Sequence, residues 1–138
     1  MSMVPFTKMH GAGNDFVVID QRAHQLNLSA KTFAVIADRH RGIGCDQIIS
    51  IESSQNGADV RFRFHNADGS EAGTCGNGAR CAASKVMDED GTSTLSIETH
   101  SAILSAERAA SGEITIDMGP AHLDWKNIPL SKAIKTCS

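Results

Sequence analysis

D-V-R-F-R-F-H-N-A-D-G-S-E-A-G-T-C-G-N-G-A-R-C, Asp59 to Cys81, is the stretch on which the fold turns. Its first part alternates, with apolar Val60, Phe62 and Phe64 set against polar Arg61, Arg63 and His65. This predicts a strand with one apolar and one wet face. The register delivers Asn66 at the strand's end, before a polar turn over Ala67 to Ser70. Cys75 then stands at the mouth of a helix, flanked by Gly76, Asn77 and Gly78. The helix carries Ala79, Cys81, Ala82, Ala83, Val86 and Met87, small or apolar residues around much of its circumference. Such a helix is expected to be wrapped by other elements rather than to lie on a surface.

Working outward, Val4 to His10 reads as a strand entering the turn G-A-G-N-D, from which Phe16 to Asp20 leaves as a second strand. Ser29 is an N-cap for a helix through His40 whose Phe33, Ile36 and Ala37 recur at helical spacing. Arg39, His40 and Arg41 would close it with positive charge at the negative end of the helix dipole. The loop R-G-I-G leads into a strand from Cys45 to Glu52, and Ser53 to Ala58 is a polar loop. Beyond the Cys75 helix, Asp88-Glu89-Asp90 reads as a solvated end. Strands follow at Thr94–Thr99, Ala102–Arg108 and Glu113–Met118. Consecutive short strands after a buried helix predict an α+β domain in which a curved mixed or antiparallel, barrel-like sheet encloses a central helix. Residues 1–119 would form this lobe, and 120–138, with Trp125 and little periodicity, a connector.

Composition narrows the function classes. With 138 residues and 41% hydrophobic content the chain is long enough for one domain with a core. Thirteen basic against sixteen acidic residues, with no basic block, give no footprint for nucleic acid. The apolar runs fall far short of the roughly 20 residues that span a bilayer, and no signal peptide is recognisable, so the cytoplasm is the expected compartment. Four cysteines, at 45, 75, 81 and 137, are irregularly spaced and include no C-x-x-C pair, which argues against structural disulfides and zinc. Cys45 and Cys81 read as packing, the latter beside Ala82 and Val86, and Cys137 as an exposed bystander.

Cys75 has two readings, a small buried hydrophobe or a reactive thiol. At a helix N-terminus its sulfur would lie near unpaired N–H groups and the positive dipole end, where thiols ionise more readily. The N–H groups of Gly76 and Asn77 could hold a carboxylate. A reactive sulfur beside an anion cradle suggests a site acting on a small acid. Asn14 and Asn66 also carry two readings, plain turn residues or ligand contacts.

The segments N-A-D-G-S-E and C-G-N-G-A-R-C resemble the first catalytic motif of the diaminopimelate epimerase family. K-M-H-G-A-G-N-D-F at 8–16, A-D-R-H-R-G-I-G-C-D-Q at 37–47 and M-G-P at 118–120 resemble further family motifs, in the family's order. The resemblance implies one lobe of a two-lobed fold, with Cys75 as a catalytic acid/base and Asn14, Gln47, Asn66, Gly76 and Asn77 on the substrate. It also implies a cofactor-independent epimerase that converts LL- to meso-diaminopimelate in lysine and cell-wall precursor synthesis. Inverting an α-carbon needs a proton removed from one face and returned to the other, which two groups flanking the carbon can do. In the family the second cysteine comes from the other lobe, and its motif is absent here. The chain is therefore expected to be inactive alone, as a truncation, one half of a split protein or an expressed fragment. Its partner would be a second lobe or a second copy, and the face normally packed against that lobe would favour self-association. Alternatives are a module that only binds an amino acid or partner lobe, a related racemase or isomerase of the same fold, and a redox role for Cys75 and Cys81.

Overall fold

The computed structural model describes residues 5–100 and 102–117. Strands β1 (Thr7–Gly11) and β2 (Asn14–Asp20) form a hairpin. Its two turn residues, Ala12 and Gly13, take φ of 51° and 89°, the positive values a two-residue turn needs to match the twist of its strands. Helix α1 (Ala30–Ala37) follows, with the Ser29 hydroxyl accepting the Thr32 N–H at 3.2 Å. Strand β3 (Gln47–Glu52) lies parallel to β2, and β4 (Val60–Asn66) antiparallel to β3. A two-residue strand that the sequence did not signal, β5 (Glu71–Ala72), pairs with the end of β4. Helix α2 (Gly76–Asp90) precedes β6 (Thr94–Glu98), β7 (Ile103–Arg108) and β8 (Ile114–Asp117).

The sheet runs β1-β2-β3-β4-β6-β7-β8 with β5 beside β4. Both edge strands, β1 and β8, touch α2, as do β2, β3 and β6 between them. The mixed sheet therefore curls around the helix as a half-barrel. It does not close: a groove of about 650 Å³ remains between β1 and β8, floored by Arg80, Cys81 and Ser84 of α2. The wrapping expected of α2 is thus complete except along this opening. Cys81 does not share the burial of Ala82 and Val86; it packs on the core from the groove side, half-buried, with its thiol 3.5 Å from the His10 carbonyl.

Inside the curl, Phe16, Ile49, Phe62, Phe64, Val86 and Ile97 form the main core. A second cluster lies on the convex face, where α1 places Phe33 and Ala37 on Val17, Ile19, Ile48 and Cys45. This second layer corrects the expectation of a wet face on β4. His65 is buried, and its ring stacks on Phe33 with centroids 3.9 Å apart, because α1 covers that part of the sheet. Arg63 remains half-exposed, paired with Glu71 and Glu52.

Three further expectations change. Helix α1 stops at Ala37 rather than His40, because the Asp38 carboxylate accepts the N–H groups of His40 and Arg41 and turns the chain. The basic trio therefore lies beyond the helix instead of on its last turn. Strand β3 begins at Gln47, while Cys45 is sealed in the second cluster. The acidic end of α2 is not merely solvated: Arg22 pairs with Glu89, Lys85 with Glu89 and Arg108 with Asp88, tying the helix to the loop after β2 and to β7. The M-G-P motif, Trp125, Cys137 and the expected connector lie outside the described residues. Among the described residues, no helix is long and apolar enough to cross a membrane, and no three His, Cys, Asp or Glu side chains are grouped to hold a metal ion.

Candidate functional site

Parallel strands begin at the same rim, and an antiparallel neighbour ends there. The starts of β2 and β3 and the end of β4 thus bring Asn14, Gln47 and Asn66 to one edge of the half-barrel. Gln47 lies directly opposite Asn66 in the β3–β4 register. Each of the three stands two residues from a core residue of its own strand: Asn14 from Phe16, Gln47 from Ile49, Asn66 from Phe64. Strand periodicity of two puts all six on the concave face; Phe16 is in register with Gln47, which faces Asn66, and Asn14 lies two residues further towards the rim.

The apolar trio also seats α2. A Cβ on Gly78 would lie 2.8 Å from Ile49 Cδ1, 3.2 Å from Phe16 Cε1 and 3.4 Å from Phe64 Cε2. A residue without a side chain lets the first turn of α2 sit on these side-chain tips without displacing them, which seats the helix N-terminus over the strand ends that carry the polar trio. Cys75 is the N-cap, in extended conformation (φ −106°, ψ 119°), and its side chain makes no capping hydrogen bond. It is half-buried against the main core. The first intrahelical bond runs from the Ala79 N–H to the Cys75 carbonyl at 2.8 Å. The N–H groups of Gly76, Asn77 and Gly78 accordingly have no intrahelical acceptor.

Asn77 donates through Nδ2 to Asn14 Oδ1 at 3.3 Å, joining the helix mouth to the β1–β2 hairpin. Asn14 in turn donates to the Asp46 carboxylate at 3.3 Å, and Arg80 donates to Asn77 Oδ1. Asn66 holds its own turn: its Nδ2 donates to Ser70 Oγ at 3.1 Å, and its carbonyl accepts the Gly69 N–H at 2.9 Å. The turn-capping reading of Asn66 is therefore realised in the structure, with the residue still at the rim. Asn14, Gln47, Asn66, Cys75, Gly76 and Asn77 thus gather at one rim. Of the other two described cysteines, Cys45 is sealed in the second cluster and Cys81 turns its thiol to the His10 carbonyl, and burial pushes both thiols up.

A group that the sequence reading passed over surrounds this rim. Asp15 and Asp46 exchange backbone-to-carboxylate hydrogen bonds, at 3.1 Å from the Asp15 N–H and 2.9 Å from the Asp46 N–H. Arg39 bridges them, 2.9 Å from Asp15 and 3.2 Å from Asp46, and Lys8 stands 3.1 Å from Asp15. The Arg39 guanidinium, helped by Lys8 and opposed by partial burial, holds the Asp15 carboxyl well below the usual carboxylate range. A surface cavity of about 550 Å³ opens here, lined by residues 10–15, Arg39 and Asp46. The signal lies inside the quoted motifs, in the Asp of G-N-D-F and of D-Q and in the first Arg of D-R-H-R, of which the dipole argument explains only the Arg, as a helix end.

Comparison with known proteins follows the same lines. The family model described as diaminopimelate epimerase matches residues 6–123. The diaminopimelate epimerase of Acidiphilium cryptum is 52% identical over 134 residues, covering 97% of this chain and 48% of that protein. That of Rhodospirillum centenum is 49% identical over 132 residues, covering 95% and 45%. The chain spans about half the length of these curated relatives. Among solved structures, a methylitaconate-delta-isomerase aligns with TM-score 0.60 and 18% identity over 81% of this chain and 62% of its own. A phenazine biosynthesis protein of the PhzF family from Bacillus anthracis aligns with TM-score 0.56 and 24% identity over 82% and 38%. These two likenesses are of fold.

Proposed function

Since the chain belongs to the diaminopimelate epimerase family, we propose that it supplies the Cys75 half of a cofactor-independent site that inverts the α-carbon of diaminopimelate. The observation that carries this reading is the placement of Cys75. Its side chain is uncommitted as a cap, and it stands at the N-terminus of a 15-residue helix whose Asn77 bonds Asn14, at the end of the sheet where Gln47 faces Asn66.

The chemistry follows from that arrangement. The N–H groups of the first turn of α2 and the positive end of its dipole would take the α-carboxylate. With the α-carbon against Cys75, the thiolate takes the α-proton, and the electron pair left on carbon delocalises into the carboxylate held by those N–H groups. Inversion is complete when an acid on the opposite face gives a proton to the carbon, leaving a neutral thiol at Cys75; in the reverse direction Cys75 is the donor. Asn14, Gln47 and Asn66 would fix the amino and carboxylate groups so that the α-hydrogen faces the sulfur. Cys45 is sealed under α1 and Cys81 turns to the His10 carbonyl, which supports assigning the opposite face to neither. The second acid/base group would come from another lobe, and this chain alone would not turn over.

The test follows LL-diaminopimelate and the chain in D2O by proton NMR, together with alkylation of Cys75 by iodoacetamide. Diaminopimelate is expected to slow alkylation of Cys75, with no conversion of LL to meso isomer above background. Alkylation of Cys75 at an unchanged rate under excess diaminopimelate would remove the binding part of the proposal. Conversion that Cys75→Ser abolishes would instead show the lobe to be catalytically self-sufficient.

A further inference from the structure

The rim holds an ordered row of hydrogen bonds whose direction is set by its ends. Arg80 donates to Asn77 Oδ1, Asn77 Nδ2 donates to Asn14 Oδ1 at 3.3 Å, and Asn14 Nδ2 donates to Asp46 Oδ2 at 3.3 Å. A primary amide can be turned over, exchanging its oxygen and nitrogen, at little cost when its neighbours can both donate and accept. Here they cannot. A guanidinium only donates and a carboxylate only accepts, so two amides between them satisfy all the contacts in one orientation alone. Turning Asn14 over would set its oxygen against the Asp46 carboxylate and its NH2 against that of Asn77.

Asp46 is itself fixed. Its Oδ2 also accepts the Asp15 N–H at 3.1 Å, and its Oδ1 takes Arg39 at 3.2 Å. Its own N–H donates to Asp15 Oδ1 at 2.9 Å. The anchor therefore belongs to the β1–β2 hairpin and the loop before β3 at once.

We infer that Asp46 is a positioning residue: its carboxylate, through Asn14, sets which way the Asn14 and Asn77 amides face at the mouth of α2. Each amide then keeps one N–H and one oxygen lone pair for a ligand in a fixed arrangement. This deepens the functional proposal and rests on it for the identity of the ligand, but the row of bonds stands on geometry of its own. The ligand end it suits carries both an acceptor and a donor, as the α-carboxylate and α-ammonium of an amino acid do.

The experiment compares the chain with Asp46→Asn and Asp46→Glu by 15N–1H correlation of the Asn side-chain amides. Single-residue assignment would use Asn14→Ser and Asn77→Ser, and melting temperatures would be measured in parallel. Asp46→Asn replaces the acceptor-only carboxylate with an amide that can present either its oxygen or its NH2. The side-chain signals of Asn14 and also of Asn77, one residue further along the row, are expected to shift or to broaden through exchange between two orientations. Asp46→Glu, which keeps an acceptor-only group, should restore them at least in part. If Asp46→Asn leaves both Asn pairs where they were, or moves Asn14 alone, the inference is overturned. A folded variant with an unchanged melting temperature but displaced amides is the result a merely structural role would not give. Titration with meso-diaminopimelate then separates the two proposals. Binding by the parent chain, weakened roughly tenfold or more in Asp46→Asn by loss of a charge-assisted contact, supports both. No binding by the parent chain, with both amides still displaced in Asp46→Asn, refutes the ligand reading and leaves the positioning role standing.

Discussion

Gly69 and Gly57 take nearly the same positive φ in different surroundings, and replacing each by alanine separates two costs. Their φ values are 91° and 88°. An L-residue held in the left-handed region loses about 1–2 kcal/mol, and both variants should show that loss. A Cβ on Gly57 would meet nothing within 4 Å, whereas one on Gly69 would lie 2.0 Å from the Ala30 carbonyl oxygen and 2.8 Å from its carbon. These are backbone atoms of the first residue of α1, so no rotamer change relieves the clash. Either the Asn66–Ser70 turn or the start of the helix must shift by about an ångström, an overpacking cost of about 1–3 kcal/mol. Gly69→Ala is therefore expected to be less stable than Gly57→Ala by about 1–3 kcal/mol. At about 4 °C per kcal/mol for a domain of this size, the melting temperatures should differ by roughly 4–12 °C. Urea unfolding followed by far-UV circular dichroism, with matched m-values, measures the difference. Equal stabilities within about 0.5 kcal/mol would refute the reasoning, because they would show that the turn beneath Asn66 is not pressed onto α1.

Burial pushes the His65 pKa below its ordinary 6.5, and the Arg39 guanidinium holds Asp15 below its ordinary 3.8. In both cases the unfolded chain binds the proton first, so the stabilisation is full above those ordinary values and is lost as pH falls through the folded-state ones. Melting temperatures should decline on acidification in two stages, the upper removed in His65→Phe and the lower in Asp15→Asn; stability rising as pH drops below neutrality would contradict this. Ser29→Ala removes the side-chain acceptor of the Thr32 N–H and is expected to cost about 1 kcal/mol, with a loss confined to α1 in hydrogen exchange. Native-state alkylation read by mass spectrometry should label Cys75 before Cys81 and Cys45 last, since Cys45 is 2% exposed and burial raises the pKa of the latter two thiols. Labelling of Cys45 ahead of Cys75 would show the α1 layer to be open.

The sequence made plain what depends on local period. Val60, Phe62 and Phe64 alternate and are buried as expected, and Ser29 and Cys75 mark helix starts that the structure keeps. The curled sheet around α2 was likewise legible in the run of small residues followed by short strands. What local pattern could not supply was the second layer. Whether the polar side of β4 meets water depends on α1, some 30 residues earlier in the chain, and His65 is polar enough to read as exposed yet flat enough to stack on Phe33. The charges misled for a similar reason. Arg39 suits a helix end by the dipole argument, but Asp38 draws two N–H groups out of helical geometry and frees Arg39 to bridge Asp15 and Asp46. Of the candidate site, the residue types came from motif resemblance. Their convergence comes from topology, because only a parallel β2–β3 pair followed by an antiparallel β4 brings their ends to the same rim.

This convergence ties the location of the sulfur to the apolar core more tightly than to any polar contact. Phe16, Ile49 and Phe64 each reach towards Gly78, and each lies two residues from Asn14, Gln47 or Asn66 on the same face of its strand. The three side chains that set the height of α2 above the sheet therefore also set the distance from the helix mouth to the polar trio. The first residue outside that helix is Cys75, whose own side chain is not used to anchor it. Any change that lifts the first turn of α2 moves the thiol, the three N–H groups behind it and Asn77 together, while leaving the strand-borne amides in place. The hairpin tightens the same coupling from the other side, since a Cβ on Gly11 would lie 2.8 Å from the Cys81 sulfur and 3.7 Å from the Asn77 carbonyl oxygen. The helix mouth is thus clamped between a glycine on β1 and an apolar floor across β2 to β4. Close packing leaves it a single seat, and reacting groups need such a seat if they are to be held at bonding distance from a carbon atom.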